Sequence, residues 1–291
     1  MQEERIDITR LRLGIVINAA SGGSDSSTRE KMQAVLAEAG VSEAKFWEVE
    51  GEGLAAALTE AQAFDVLVVF GGDGTIRTAA QMSTMEGPRL IALPGGTMNL
   101  LPKALYGELA WEDALLATLR DPMVRTISGG KAGDERFFIA AILGAPALWA
   151  KAREALREGD LAVALEEGKE AIEHLFASKV AYRFNELHEG TAEAVSIVCP
   201  LISTALADDR QVLEAAVIDV ADAGEVIELA TAAAFGQWRD SKNVAIVNTK
   251  EITISSSMRV PAIFDGEIIH AGKELHIEFV PEAFRAVVPA I

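Results

Sequence analysis

Three short loops of glycine and small polar residues carry the chemistry that can be read from this chain. The sharpest is Gly71-Gly72-Asp73-Gly74-Thr75, which follows the apolar run Asp65–Phe70 and precedes a helical stretch. Glycines at such a junction let backbone N–H groups approach phosphate oxygens closely, and the helix N-terminus adds partial positive charge. An aspartate among those amides repels a bare anion. Its presence makes chemical sense beside a magnesium ion or a reacting hydroxyl. The plainer alternative is a tight turn in which Asp73 caps the helix that follows. Pro94-Gly95-Gly96-Thr97-Met98-Asn99 has the same layout after the run Leu90–Leu93, with Thr97 offering a hydroxyl and Asn99 an amide. Asn18-Ala19-Ala20-Ser21-Gly22-Gly23 follows the first apolar run, residues 11–17. Each loop alone is weak evidence, but three in succession describe a nucleotide site.

The elements that must position these loops alternate. Apolar runs at 11–17, 65–70 and 90–93 read as buried strands, with a shorter strand at 45–49. Helical patterns fall between them at about 27–39, 54–63, 75–85, 98–105 and 111–119. That alternation predicts an α/β nucleotide-binding domain over 1–125 with an open, mostly parallel sheet. Beyond Arg125 the pattern changes to strands at 136–143, 179–187, 192–198, 213–219, 244–249, 251–257 and 274–279. One long helical stretch, 147–177, interrupts them, and packing against the sheets is its expected role. The second domain, 126–291, is therefore expected to be an antiparallel β-sandwich, with 280–291 returning to the first domain.

These loops resemble those of the diacylglycerol kinase catalytic-domain family, which includes bacterial lipid kinases and sphingosine kinases. The family's Gly-Gly-Asp-Gly-Thr, its Asn-Pro-x-Ser-Gly-like loop and its Gly-Thr-x-Asn loop correspond to Gly71–Thr75, Asn18–Gly22 and Gly96–Asn99. NAD kinases share the first motif. The third, Gly96-Thr97-Met98-Asn99 followed by Leu100, Leu101 and Pro102, looks like the lipid-kinase version. The resemblance implies a nucleotide domain followed by a β-sandwich, and transfer of the ATP γ-phosphate to a lipid hydroxyl with magnesium. ATP is then expected to be held by Asn18, Ser21, Gly22, Gly71, Gly72, Gly74, Thr75, Gly96, Thr97 and Asn99. The family also carries Asp-Gly-Glu near its C-terminus with the glutamate as general base, which implies that role for Glu267 in Asp265-Gly266-Glu267. Asp73 is the alternative base. Without the resemblance, Asp265-Gly266 is a β-turn centre and Glu267 a solvated side chain.

The sequence departs from the family in three places. Ala19 stands where proline is usual. Val49-Glu50-Gly51 replaces a region that often supplies a threonine to ATP. The family's structural magnesium segment, Asp-Asp-Gly-x-Leu-Asp, becomes Asp208-Asp209-Arg210-Gln211-Val212-Leu213-Glu214. Asp208 and Asp209 are the only candidate ligands there, and Arg210 competes with a cation for their charge. A well-formed site is not expected. That damage keeps open a second reading, a nucleotide- or lipid-binding regulator without catalysis. Retention of Asp73 and Glu267 argues for chemistry.

Composition sets the remaining bounds. The net charge of −18 over 291 residues is spread along the chain, with 11 basic and 18 acidic residues in 1–125 and 15 and 26 in the rest. Such a chain has no electrostatic drive toward nucleic acid. A lipid substrate, peripheral contact with the membrane that carries it and self-association as a homodimer are the partners the family reading allows. The single cysteine, Cys199, permits no internal disulfide and reads as a buried thiol. His174, His188, His270 and His276 lack metal-ligand spacing. The charged start and the absence of a long apolar run predict a cytoplasmic protein.

Overall fold

A computed structural model describes residues 3–144, 179–185, 188–203, 206, 211–219, 239 and 241–290. The helical stretch expected at 147–177, His174, and the candidate ligands Asp208 and Asp209 lie outside the described residues. The chain divides into two units, Met1–Gly129 with Val280–Ile291, and Gly130–Phe279.

The first unit contains β1 (Glu3–Arg5), β2 (Leu13–Asn18), α1 (Thr28–Glu38), β3 (Ala44–Val49), α2 (Gly53–Ala61), β4 (Val66–Gly71), α3 (Asp73–Met82), β5 (Arg89–Pro94), α4 (Leu100–Tyr106), α5 (Trp111–Arg120) and most of β6 (Pro122–Ala132). Strands β3, β2, β4 and β5 lie side by side in that order, every neighbouring pair parallel. Their central residues, Ile15–Ile17, Val66–Phe70 and Leu90–Leu93, are fully buried. Helices cover both faces, α1 with α5 on one and α2, α3 and α4 on the other. This explains why the strands read as unbroken apolar runs rather than as alternating ones. The chain leaves β2 for β3 on one side and then returns past β2 to β4 on the other. The carboxyl ends of β2 and β4 therefore flank a topological switch point, where open α/β sheets bind ligands.

The second unit holds β7 (Glu135–Phe137), β8 (Ala140–Gly144), β9 (Val180–Asn185), β10 (His188–Ala192), β11 (Ala194–Val198), β12 (Leu213–Ile218), β13 (Val244–Thr249), β14 (Glu251–Ser255), β15 (Pro261–Phe264), β16 (Glu267–His270) and the start of β17 (Glu274–Pro289). Six strands form an antiparallel sheet in the order β13-β12-β11-β8-β15-β16. A second antiparallel layer is built from β10, β9, β14 and the first residues of β17. Side chains from both layers meet in one core containing Phe137, Leu143, Phe184, Ile197, Leu213, Ile254, Phe264 and Ile277. This is a β-sandwich. β17 runs on past the expected 274–279, and its Ala286 pairs with Leu90 of β5 in the first unit.

Two differences from the sequence reading have clear causes. The run 136–143, read as one strand, breaks at Phe138-Ile139 into β7 and β8, because the side chain of Asp265 takes the amides of Phe138, Ile139 and Ala140. The segment 261–270, where no strand is read from the sequence, forms the hairpin β15–β16 around the expected Asp265-Gly266 turn, with Phe264 paired to Glu267, because its strands pair with each other and β15 pairs with the distant β8.

Candidate functional site

At the switch point the three loops are knit together by backbone. Gly95 N–H donates to Gly71 O at 2.9 Å, and Gly23 N–H donates to Gly95 O at 2.9 Å. Gly72 and Gly96 approach so closely that a Cβ on Gly96 would lie 2.7 Å from Gly72 Cα. A Cβ on Gly71 would lie 2.6 Å from the side chain of Thr75. At these positions glycine is required by space.

The polar side chains fasten the loops further. Asn18 Nδ2 donates to Thr75 Oγ1 at 2.8 Å, and its Oδ1 accepts from Ala20 N–H at 3.1 Å. Asn99 takes a left-handed backbone, φ 52. Its carboxamide closes on Gly96 from both ends, accepting from the Gly96 amide and donating to the Gly96 carbonyl, each at 2.8 Å. Asn99 therefore shapes its loop and does not project an amide outward. Asp73 accepts from Asn99 N–H at 2.9 Å and from Leu100 N–H at 2.6 Å. Its carboxylate caps α4, not the helix α3 that it begins, and so ties the second loop to the third.

Some donors are left for a ligand. The amides of Asp73, Gly74 and Thr75 precede the first turn bond of α3, Ile76 N–H to Gly72 O at 3.0 Å, and Gly72 has no side chain to cap them. Ser21 Oγ is buried without a hydrogen-bond partner. No atom would lie within 4 Å of a Cβ on Gly22, and Thr97 is exposed. None of the loop residues 18–23, 71–75 or 94–99 is basic.

In the second unit, Asp265 and Gly266 both have positive φ, 50 and 90, which makes the Phe264–Glu267 connection a two-residue hairpin turn of the primed class. Glu267 is exposed. Asp265 is 5% exposed, and its carboxylate accepts from Phe138, Ile139 and Ala140 N–H at 2.8, 2.9 and 3.0 Å. Sequence reasoning quoted this aspartate in its motif but gave it no task. A turn residue and a buried anchor look alike until β8 is seen beside β15. Phe137, Ala141 and Leu143 are spent on the sandwich core.

The same unit buries Glu214 completely. Arg239 Nε donates to its Oε1 at 2.7 Å, Arg239 Nη2 to its Oε2 at 3.3 Å, and Ser203 Oγ also bonds Oε2. Glu214 ends the segment that corresponds to the family's structural magnesium site, and its two oxygens accept from a guanidinium and a hydroxyl. Among the described residues no group of three His, Cys, Asp or Glu side chains could hold a metal. Cys199 is fully buried, and burial, followed by the nearby charge of Asp265, pushes its thiol pKa well up.

With this geometry in place, the likeness to known proteins can be set beside it. Residues 12–132 match the diacylglycerol kinase catalytic domain. The matched stretch runs from the start of β2 to the end of β6 and contains all three loops. Asp265 and Glu267 lie outside it. Among solved structures, a candidate diacylglycerol kinase from Bacillus anthracis str. Sterne aligns with TM-score 0.74 at 18% identity, covering 95% of this chain and 96% of its own. A diacylglycerol kinase from the same organism aligns at 0.67 and 16%, covering 96% and 97%. Yeast NADH kinase, solved with NADH, aligns at 0.51 and 13%, covering 97% and 84%. At these identities the likeness is one of fold, and it extends over both units. No helix among the described residues is long and apolar enough to cross a membrane.

Proposed function

We propose that this protein transfers the γ-phosphate of Mg·ATP to the hydroxyl of a lipid, with a diacylglycerol-like acceptor favoured. The observation that carries the reading is the knot of Gly71–Thr75, Gly95-Gly96 and Asn18–Gly23 at the switch point of a domain matched to diacylglycerol kinases. The open N-terminal amides of α3 and the unpartnered Ser21 hydroxyl are the donors for phosphate oxygens. The loops contain no cation, so the magnesium that offsets the triphosphate charge arrives on the nucleotide as part of the substrate.

The lipid hydroxyl oxygen forms the new bond to the γ-phosphorus, the bond from that phosphorus to the bridging oxygen breaks, and ADP leaves. Glu267 takes the hydroxyl proton, a contribution typically worth about 10²–10⁴-fold. Asp73, with both oxygens on backbone amides, positions the third loop and is not the base. The lipid acceptor brings the protein to a membrane surface transiently.

The test is transfer of labelled γ-phosphate from Mg·ATP to a total lipid extract, with Glu267→Gln beside the native protein. A labelled lipid that disappears in Glu267→Gln, with nucleotide binding retained, supports the assignment. Labelling of NAD(H) in place of lipid would move the protein to the soluble-substrate kinases whose fold it shares. Nucleotide binding with no labelled product would make it a regulator.

A further inference from the structure

We infer that Asp265 is the positioning residue that fixes Glu267 for catalysis. The inference rests on the reading of Glu267 as the base. Glu267 is exposed, and among the described residues no hydrogen bond or ion pair holds its carboxylate. An exposed glutamate at a strand end has free rotamers, so its location is set by the backbone that carries it. That backbone is anchored two residues earlier. Asp265 spends its carboxylate on three consecutive amides, Phe138, Ile139 and Ala140, and its own N–H donates to Ala140 O at 2.9 Å. Four hydrogen bonds thus join one turn residue to the break between β7 and β8.

The neighbours of the turn are also fixed. Phe264, just before it, is fully buried with its ring centroid 4.9 Å from that of Phe137. Gly266, just after it, holds φ 90, which favours glycine. A turn that only reversed the chain would be served by a solvated Asp-Gly or Asn-Gly pair. Burying the aspartate carries a desolvation cost that is met by amides of one particular segment. The β15–β8 ladder ends at Phe264 paired with Ala141, and the Asp265 carboxylate carries the attachment to β8 one residue further, into the turn itself. The turn carries Glu267.

Asp265→Asn separates the two roles of this residue. Asparagine is at least as content at positive φ, so the turn persists, but one acceptor oxygen becomes an NH2 group that opposes an amide donor. The expected result is a kcat for lipid phosphorylation lower by about 10²-fold, the scale of an ångström-sized misplacement. The KM for Mg·ATP should be unchanged, and amide hydrogen exchange at Phe138–Ala140 faster. Glu267→Gln is assayed in parallel. If Glu267→Gln is inactive while Asp265→Asn keeps a kcat within about twofold of native, the positioning role is overturned and the base survives. If Glu267→Gln is active, the base reading fails and the inference falls with it. Should Asp265→Asn not fold, Asp265→Gly, which is equally at ease at positive φ, replaces it with the same criteria.

Discussion

Replacing Gly96 by alanine perturbs the knot of loops at its tightest point. The added Cβ would sit 2.7 Å from Gly72 Cα and 3.3 Å from Asn99 Oδ1. Carbon atoms in contact prefer about 3.5–4.0 Å, so the second and third loops must part by about 1 Å. The obstacle is backbone, and no rotamer change relieves it. Parting the loops strains the bonds from Gly95 N–H to Gly71 O and from the Asn99 and Leu100 amides to Asp73. It also moves the α3 amides relative to Ser21. A shift of this size in a positioning element can cost about 10²-fold in rate, or about 2.7 kcal/mol of transition-state stabilisation. The assay is γ-phosphate transfer together with a nucleotide titration, with Gly272→Ala as control, since the nearest atom to a Cβ there is at 3.7 Å. Gly96→Ala should lose about 10² in kcat/KM and weaken nucleotide binding, while Gly272→Ala behaves as native. Native affinity and turnover in Gly96→Ala would refute the claim that close approach of the loops builds the site.

Two further predictions concern stability. Arg239→Met leaves the fully buried Glu214 carboxylate with only Ser203 of its two side-chain partners, which should cost about 3–5 kcal/mol. The double change Glu214→Met, Arg239→Met should recover most of that loss, and equal melting of Arg239→Met and native protein would contradict the assignment. Alkali should destabilise the fold in two steps. Burial raises the thiol pKa of Cys199 and the hydroxyl pKa of Tyr106, so the unfolded chain releases these protons first and stability falls as pH rises. The fall starts near the unfolded cysteine value of about 8.5, with a second component above about 10 from tyrosine. Urea midpoints against pH should show both limbs in the native protein and only the second in Cys199→Ala.

The α/β unit was legible in the sequence because its strands are buried on both faces, and such strands must be written as unbroken runs such as Val66–Phe70. The glycine loops were legible for a related reason. A backbone that approaches another at Gly72 and Gly96 tolerates no side chain, so the requirement is recorded at the position itself. Sandwich strands were harder to read. β10, β15 and β16 alternate weakly and do not read as strands, and the half-buried residues of β6 look like a linker. Their pairing comes from partners far along the chain.

The roles of the acidic residues divide in the same way. Sequence alone established that an aspartate stands among phosphate-binding glycines and that Asp-Gly-Glu follows near the C-terminus, because residue types and short spacings are local facts. Only the tertiary structure decided what each carboxylate touches. Asp73 was expected at a metal, at a hydroxyl or at the start of α3, and it holds α4 from 26 and 27 residues away in sequence. Asp265 reads as an ordinary turn residue, yet it grips amides 125 to 127 residues earlier. Glu214 closes the segment compared with the family's magnesium site and has no role assigned by sequence, yet it is matched by an arginine 25 residues on. A carboxylate's partner depends on which backbone amides or cations the fold leaves unsatisfied within about 3 Å. That is a property of strand register and helix ends, which no local pattern of residue types encodes.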